Sequence, residues 1–317
     1  MGGADAADLD ALLAAMARGE TPPPDRLGRA IEADPATEAL RRAGFPPNPS
    51  RRVAMFRETA QLCPRLPIQA AGYKVDARLS MEELWRFYLP LCEAVLDLAG
   101  RLPQERRALV GIAGPGASGK TVLAGLLCEL LSRLRGTEDH CVVCPLDGFH
   151  YPNAYLETHS TEDGTGRSVA LKAVKGAPES FHAAAFLEAL QCLREQNETT
   201  WPRYDRRIHD PVPNATAVGP EDGIAVIEGN YLLLEREPWQ EVAELLDLRL
   251  FVDAPEEELR RAMIARHVQG GRSRPDAERH YEEVDLPNAR LIRDSAHRAD
   301  LLLCRRAGRV TALRRPC

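Results

Sequence analysis

The sequence predicts an α/β fold: a mainly parallel five-stranded sheet with helices on both faces, preceded by an N-terminal helical extension. Three observations carry this expectation. From about residue 106 onward, short apolar runs alternate with segments of helical period, the pattern of parallel strands joined by crossover helices. One apolar run leads straight into a turn of small residues and then a helix, within Gly114-x-x-x-x-Gly119-Lys120-Thr121. Residues 1 to about 105 hold amphipathic, proline-broken helical pieces and no comparable unit.

In the N-terminal part, Asp8 to Arg18 is amphipathic, and Thr21-Pro-Pro-Pro24 and Pro46-Pro47-Asn48-Pro49 interrupt the chain. Ser80-Met-Glu-Glu83 is a capping box that opens a helix through Tyr88, kinked at Pro90 and resumed to about Leu98. Its apolar stripe (Leu84, Phe87, Leu91, Val95, Leu98) is expected to pack on the core, and the whole extension offers a surface for homodimerisation. The domain division expected is 1–105 for the extension and 106–317 for the nucleotide-binding unit, with a lid at about 260–285.

Five strands are expected at Ala108 to Ala113, Cys141 to Leu146, Ile224 to Ile227, Leu248 to Val252 and Leu301 to Cys304. Helices are expected at Thr121 to Leu134, closed by Gly136, at Pro178 to Glu195, and at Pro255 to Gln269, where acidic residues occupy the first turn. Cys141 and Cys144 have the spacing of a redox or zinc pair. They lie inside an apolar strand with no second cysteine pair, so they read as small buried residues.

The Gly114 to Thr121 stretch is the phosphate-loop pattern. A polyphosphate is held best by backbone N–H groups that approach closely, which Gly114, Gly116, Ala117, Ser118 and Gly119 allow, at the positive end of the following helix. Lys120 adds a mobile charge and the Thr121 hydroxyl a ligand for Mg²⁺. Ligands of open α/β sheets gather beyond the carboxyl ends of the strands, which singles out Asp147, Glu228 and Asp253. Asp147 is the candidate base or metal neighbour and Glu228 the Mg²⁺-directing carboxylate, while Asp253, just before Pro255, reads as a turn or cap. Arginines cluster around Gly270-Gly271; Arg266 and Arg272 are the candidates for a lid that closes over a transferring phosphoryl group.

Bulk properties narrow the class. The net charge is −6 with Lys and Arg spread along 317 residues, which argues against a nucleic-acid surface. No apolar run approaches membrane-spanning length and no signal-peptide layout opens the chain, so a cytoplasmic setting and free thiols for the eight cysteines are expected.

Beyond the phosphate loop, the segments LDGFHYPNAYL (146–156), KGAPESF (175–181), PRYDRRIH (202–209) and VIEGNYLLL (226–234) follow in the order found in the superfamily of uridine kinase, phosphoribulokinase and bacterial type I pantothenate kinase. Over about residues 80–305 the chain resembles this P-loop superfamily, most closely its nucleoside/nucleotide kinase-like, fructose-transport-type branch. Tyr204-Asp205-x-x-x-His209 is similar to the pattern lining the nucleoside pocket of uridine kinases; pantothenate kinases have tyrosine-serine-histidine there, from which Asp205 and Arg206 depart. Asn288 falls near a substrate asparagine of pantothenate kinases.

The resemblance implies ATP and Mg²⁺ as cofactors, Asp147 as catalytic base, Thr121 and Glu228 in the metal network, and a small-molecule alcohol as acceptor. The pocket for that acceptor would be shaped by His150, Tyr151, Lys175, Tyr204, Asp205, His209 and Asn230. The rival expectation is a nucleotide-binding switch that signals through its N-terminal helices and needs no polar acceptor pocket.

Overall fold

A computed structural model of the chain describes residues 3–70, 72–136, 141–162 and 166–316. Its centre is a six-stranded sheet in the order Arg309–Arg314, Leu301–Arg306, Leu248–Asp253, Ala108–Ala113, Ile224–Glu228, Cys141–Pro145. The five strands expected from the sequence are all present and mutually parallel. The sixth, Arg309–Arg314, corrects the count: it returns antiparallel from Leu301–Arg306 through Ala307-Gly308, both with positive φ, as a two-residue hairpin turn. Its charged ends and half-buried alternation hide it as a strand, because an edge strand needs only one apolar face.

Sheet residues alternate between two apolar layers. Val110, Ile112, Val226, Leu250 and Leu303 face the helix Lys120–Arg135 and the N-terminal helices. Leu109, Ala225, Ile227 and Phe251 face the other side, against Ala183–Arg194 and the buried Trp201 and Trp239. That helix begins at Ala183 rather than at Pro178, since Pro178–Ser180 forms a separate 3-10 turn and His182 caps the new start, its Nδ1 accepting from the Ala185 N–H at 3.1 Å.

The N-terminal region is not wholly helical. Helices Gly3–Ala17, Pro24–Glu32, Pro35–Arg42 and Pro49–Thr59 precede a hairpin of Leu66–Ala70 with Tyr73–Ala77, a correction to the all-helix expectation. Leu66, Ile68 and Ala70 are buried in strict alternation, and Gly125 lets the hairpin lie on the phosphate-loop helix, where a Cβ would stand 2.6 Å from the Gln69 carbonyl. The capping box forms as expected: Ser80 Oγ accepts from the Glu83 N–H at 3.0 Å, and Glu83 accepts from the Ser80 N–H at 3.1 Å. The helix continues through a π-turn at Leu84–Tyr88, which absorbs the missing N–H of Pro90, into Leu89–Arg101. Its stripe is buried against the sheet, and the N-terminal helices share that apolar layer. A second hairpin, Thr199–Asp205 with Asp210–Val218, is tied to the Cys141–Pro145 strand, Trp201 Nε1 donating to the Pro145 carbonyl at 2.9 Å.

Candidate active site

The cradle starts where the Ala108–Ala113 strand ends. Gly114 has φ +147, and a Cβ there would meet the Val252 carbonyl at 2.2 Å, so only glycine lets the chain turn between two central strands. Ala117 and Gly119 are left-handed and flank Ser118, a pattern that turns neighbouring backbone N–H groups toward a common anion. The first N–H groups of the helix Lys120–Arg135 have no intrahelical acceptor and add to that cradle. Ser118 Oγ is buried and has no hydrogen-bond partner, an orphaned group of the kind a phosphate oxygen satisfies. Lys120 Nζ lies across the loop and donates to the Pro115 carbonyl at 2.9 Å; burial pushes its pKa down to about 8, against the pull of Glu228 and Asp147. These features fit a triphosphate.

Thr121 Oγ1 donates to Glu228 Oε1 at 2.9 Å, bringing the two expected metal ligands into contact. Burial raises the Glu228 pKa, with the neighbouring Asp147 charge adding to the rise. A carboxylate and a hydroxyl paired at the foot of a phosphate cradle are hard oxygen donors suited to Mg²⁺.

Asp147 stands on the 3-10 turn Leu146–Phe149 that ends the Cys141–Pro145 strand. Burial alone would raise its pKa, but His150, Arg206, Arg266 and Lys120 more than offset this and hold the carboxyl below its ordinary value. Its Oδ2 is 3.4 Å from Arg206 Nη2.

One cavity of about 730 Å³ joins these groups. Of the expected residues it is lined by Gly116, Ala117, Gly119, Lys120, Thr121, Asp147, Glu228, Arg266 and Arg272, and by His150, Lys175, Tyr204, His209 and Asn230. Lys175 Nζ donates to Asn153 Oδ1 and to the His209 carbonyl, both at 2.9 Å, and stands 5.1 Å from the Tyr204 ring centroid. The His150 ring lies 3.8 Å from Phe181 and 5.2 Å from Tyr204, and its burial lowers its pKa.

Two expected pocket residues do not line the cavity. Tyr151 stacks on Tyr155 at 4.2 Å. Asp205 is held by Arg207, whose N–H and guanidinium it accepts. Tyr204 on the strand and Arg206 at the start of the turn both reach the cavity, while Asp205 between them points the other way, onto Arg207. Asp253 accepts from the Ala254 N–H at 2.9 Å and pairs with Arg293, as a turn residue does.

The structure adds residues that the sequence reading did not weigh as site residues. Arg206, the first residue of the hairpin turn, is one. Tyr73, from the first hairpin, lines the cavity although it lies far upstream of the phosphate loop. Helices Glu256–Gln269 and Arg274–His280, joined at Gly270-Gly271, occupy the segment where a lid is expected and bring His267 and His280 to the cavity, with Asp285 from the π-turn Tyr281–Asp285 that follows. The ligand atoms of these three lie within 4.8 Å of one another, but His267 Nε2 is already 2.7 Å from Asp285 and the Arg272 guanidinium stands 3.3 Å from His267 Nδ1. A fixed positive charge there opposes a cation. Burial, with Arg272 beside it, pushes the His280 pKa down to about 4.

The chain is similar to known proteins in sequence and in fold. The model of the "Phosphoribulokinase / Uridine kinase family" matches residues 109–311. An Escherichia coli (strain K12) protein, the uncharacterized YggC, is 33% identical over 239 residues, 75% of this chain and 94% of its own. A pantothenate kinase of Serratia proteamaculans (strain 568) is 29% identical over 242 residues, 68% of this chain and 72% of its own. A solved structure titled "putative fructose transport system kinase" from Silicibacter sp. TM1040 superposes with a TM-score of 0.56 at 32% identity, covering 65% of this chain and 93% of the other. The chain belongs to the phosphoribulokinase and uridine kinase family of P-loop kinases.

Proposed function

We propose that the protein transfers the γ-phosphoryl group of ATP to a hydroxyl of a small polar metabolite, with Asp147 as general base. The observation that carries this reading is the common cavity: the phosphate cradle, the Thr121–Glu228 pair and Asp147 all open on it. The backbone of Gly114 to Gly119 would hold the phosphates, and Lys120, released from the Pro115 carbonyl, would follow charge onto the transferring group. Thr121 and Glu228 would hold Mg²⁺, which would supply charge neutralisation for the phosphates. Asp147, ionised at neutral pH because four cationic or polar neighbours favour its charged form, would accept the proton of the attacking hydroxyl. Arg266 and Arg272, on the lid, would close over the equatorial oxygens and exclude water. His150, Lys175, Tyr204, Arg206, His209 and Asn230 form the wall against which the acceptor rests. A reaction fed by ATP suits a cytoplasmic setting.

The test is coupled detection of ADP over a panel of sugars, hydroxy acids and nucleosides. Lys120→Ala and Asp147→Asn are each expected to lower kcat by about a hundredfold or more while circular dichroism stays unchanged. Full activity of Asp147→Asn overturns the base assignment. ATP hydrolysis indifferent to every acceptor, together with nucleotide-dependent binding of a protein partner, favours a switch instead.

A further inference from the structure

The acceptor wall carries more positive charge than the reaction needs. Lys120 in the cradle and Arg266 on the lid are the cations that a triphosphate would occupy. Two others, Arg206 and Lys175, come from elements on the acceptor side, the tip of the second hairpin and the segment before Pro178. Among the described residues neither sits in a short ion pair. The carboxylate in contact with Arg206 is Asp147, with Glu228 also feeling its charge, and at 3.4 Å that contact is longer than the 2.7–2.9 Å of a charge-assisted hydrogen bond. Asp147 must in any case be turned toward the acceptor hydroxyl if it is the base.

Lys175 spends two of its three protons on neutral oxygens, Asn153 Oδ1 and the His209 carbonyl, which orient the amine without neutralising it. Burial and the neighbouring Lys172 oppose its charge, with Asp210 the carboxylate that supports it. Tyr204 links the two cations: its ring lies 5.1 Å from Lys175 Nζ, and its hydroxyl feels both Asp147 and Arg206. A half-buried ammonium held by neutral oxygens and a half-buried guanidinium in a long contact with Asp147 leave this wall short of negative charge. The rigid fork of a guanidinium fits the two oxygens of a carboxylate or phosphate, and a neutral sugar or nucleoside offers it no such partner.

From this geometry we infer that the acceptor is an anion, a hydroxy acid or a phosphate ester, whose charged group is bound by Arg206 and Lys175 while its hydroxyl meets Asp147. The inference rests on the kinase reading above and narrows it. Asp205, turned onto Arg207, adds no repulsive charge to the cavity wall. The backbone of His209, with φ +53, offers its carbonyl to Lys175 and so sets the ammonium in the wall before any ligand arrives.

The experiment compares charged and uncharged congeners: D-glycerate against glycerol for the carboxylate arm, D-ribose 5-phosphate against D-ribose for the phosphate arm, and pantothenate against pantothenol. Each is measured twice, by the shift in melting temperature with Mg²⁺ and a non-hydrolysable ATP analogue present, and by ADP release with ATP. At least one acid is expected to stabilise the protein and to react with a kcat/KM about tenfold to a hundredfold above its neutral congener, the range expected for hydrogen bonds to a charged group. Arg206→Met is expected to erase that preference through KM, Arg206→Lys to keep part of it, and both to retain the shift given by the ATP analogue alone.

Neutral congeners reacting as well as the acids overturns the inference. So does an acid preference unchanged in Arg206→Met, and so do acids that neither stabilise nor react with a protein that still binds the ATP analogue. Acids that stabilise the wild type but not Arg206→Met, with no phosphoryl transfer to any of them, support the anion site and overturn the kinase reading, so the two failures are distinct.

Discussion

The two halves of the cavity, which we propose hold the phosphoryl donor and the acceptor, are built on opposite principles. The donor half is one contiguous stretch, Gly114 to Thr121, wedged between central strands and completed by Glu228 from the adjacent strand. Its contacts are backbone groups and side chains fixed by sheet register. The acceptor half is assembled from tips: the turn after Cys141–Pro145, the Lys175 to Ser180 segment, the hairpin end at Arg206 to His209, and Tyr73 from the N-terminal hairpin. A phosphate is common to every nucleotide and is well served by an invariant backbone geometry. An acceptor that must be told from its neighbours needs side chains from several directions, and loops supply these at low cost to the core.

This division can be broken experimentally. The largest effect is expected for Gly114→Ala, where the new Cβ would collide with the Val252 carbonyl at 2.2 Å in a backbone conformation that disfavours any side chain. Nucleotide binding should be lost outright, and stability should fall by about 1–3 kcal/mol, read as the absence of an ATP-analogue shift and a lower Tm. An unaltered nucleotide affinity would mean the donor half does not depend on that turn.

Next in size, Glu228→Gln removes the charge beside Thr121 but keeps the shape. It is expected to raise the Mg²⁺ concentration for half-maximal activity by about tenfold, with acceptor KM little changed. A change confined to acceptor KM would move Glu228 out of the donor half.

Lys120 gives a pH prediction. Its pKa of about 8 lies below the ordinary lysine value because the charged form is desolvated. A bound triphosphate favours the charged form, so binding above pH 8 must take up a proton, and affinity falls as the pH rises further. Calorimetry in two buffers of different ionisation heat measures the uptake, and a value of zero above pH 8 would show that Lys120 does not meet the phosphates.

The smallest effect is expected for Tyr73→Ala. Tyr73 is 54% exposed and touches the cavity from its rim, so acceptor KM should rise by a few fold with nucleotide binding unaltered. A weaker nucleotide affinity in this variant would show that the first hairpin serves the donor and not the acceptor.

The donor half was legible in the sequence for a physical reason. Gly114, Gly119, Lys120 and Thr121 are neighbours in the chain, and Asp147 and Glu228 end apolar runs whose burial makes them strands. The acceptor half was legible only in part. Lys175, Tyr204 and His209, expected from their segments, line the cavity, whereas Asp205 does not and Arg206 does, because facing depends on a hairpin whose polar, part-exposed strands carry no clear alternation. Tyr73 carried no signal at all, since the hairpin bearing it reads as one more break between helices.

What the sequence determined by itself was therefore the local chemistry: a phosphate loop, a parallel sheet and the acids at its carboxyl edge, each encoded by residues close together in the chain. Tertiary structure alone decided which distant tips converge on that edge, which of Asp205 and Arg206 turns inward, and that a sixth, antiparallel strand closes the sheet. Those outcomes depend on pairing across long sequence separations. They are settled by the fit of packed surfaces, which no local run of residues records.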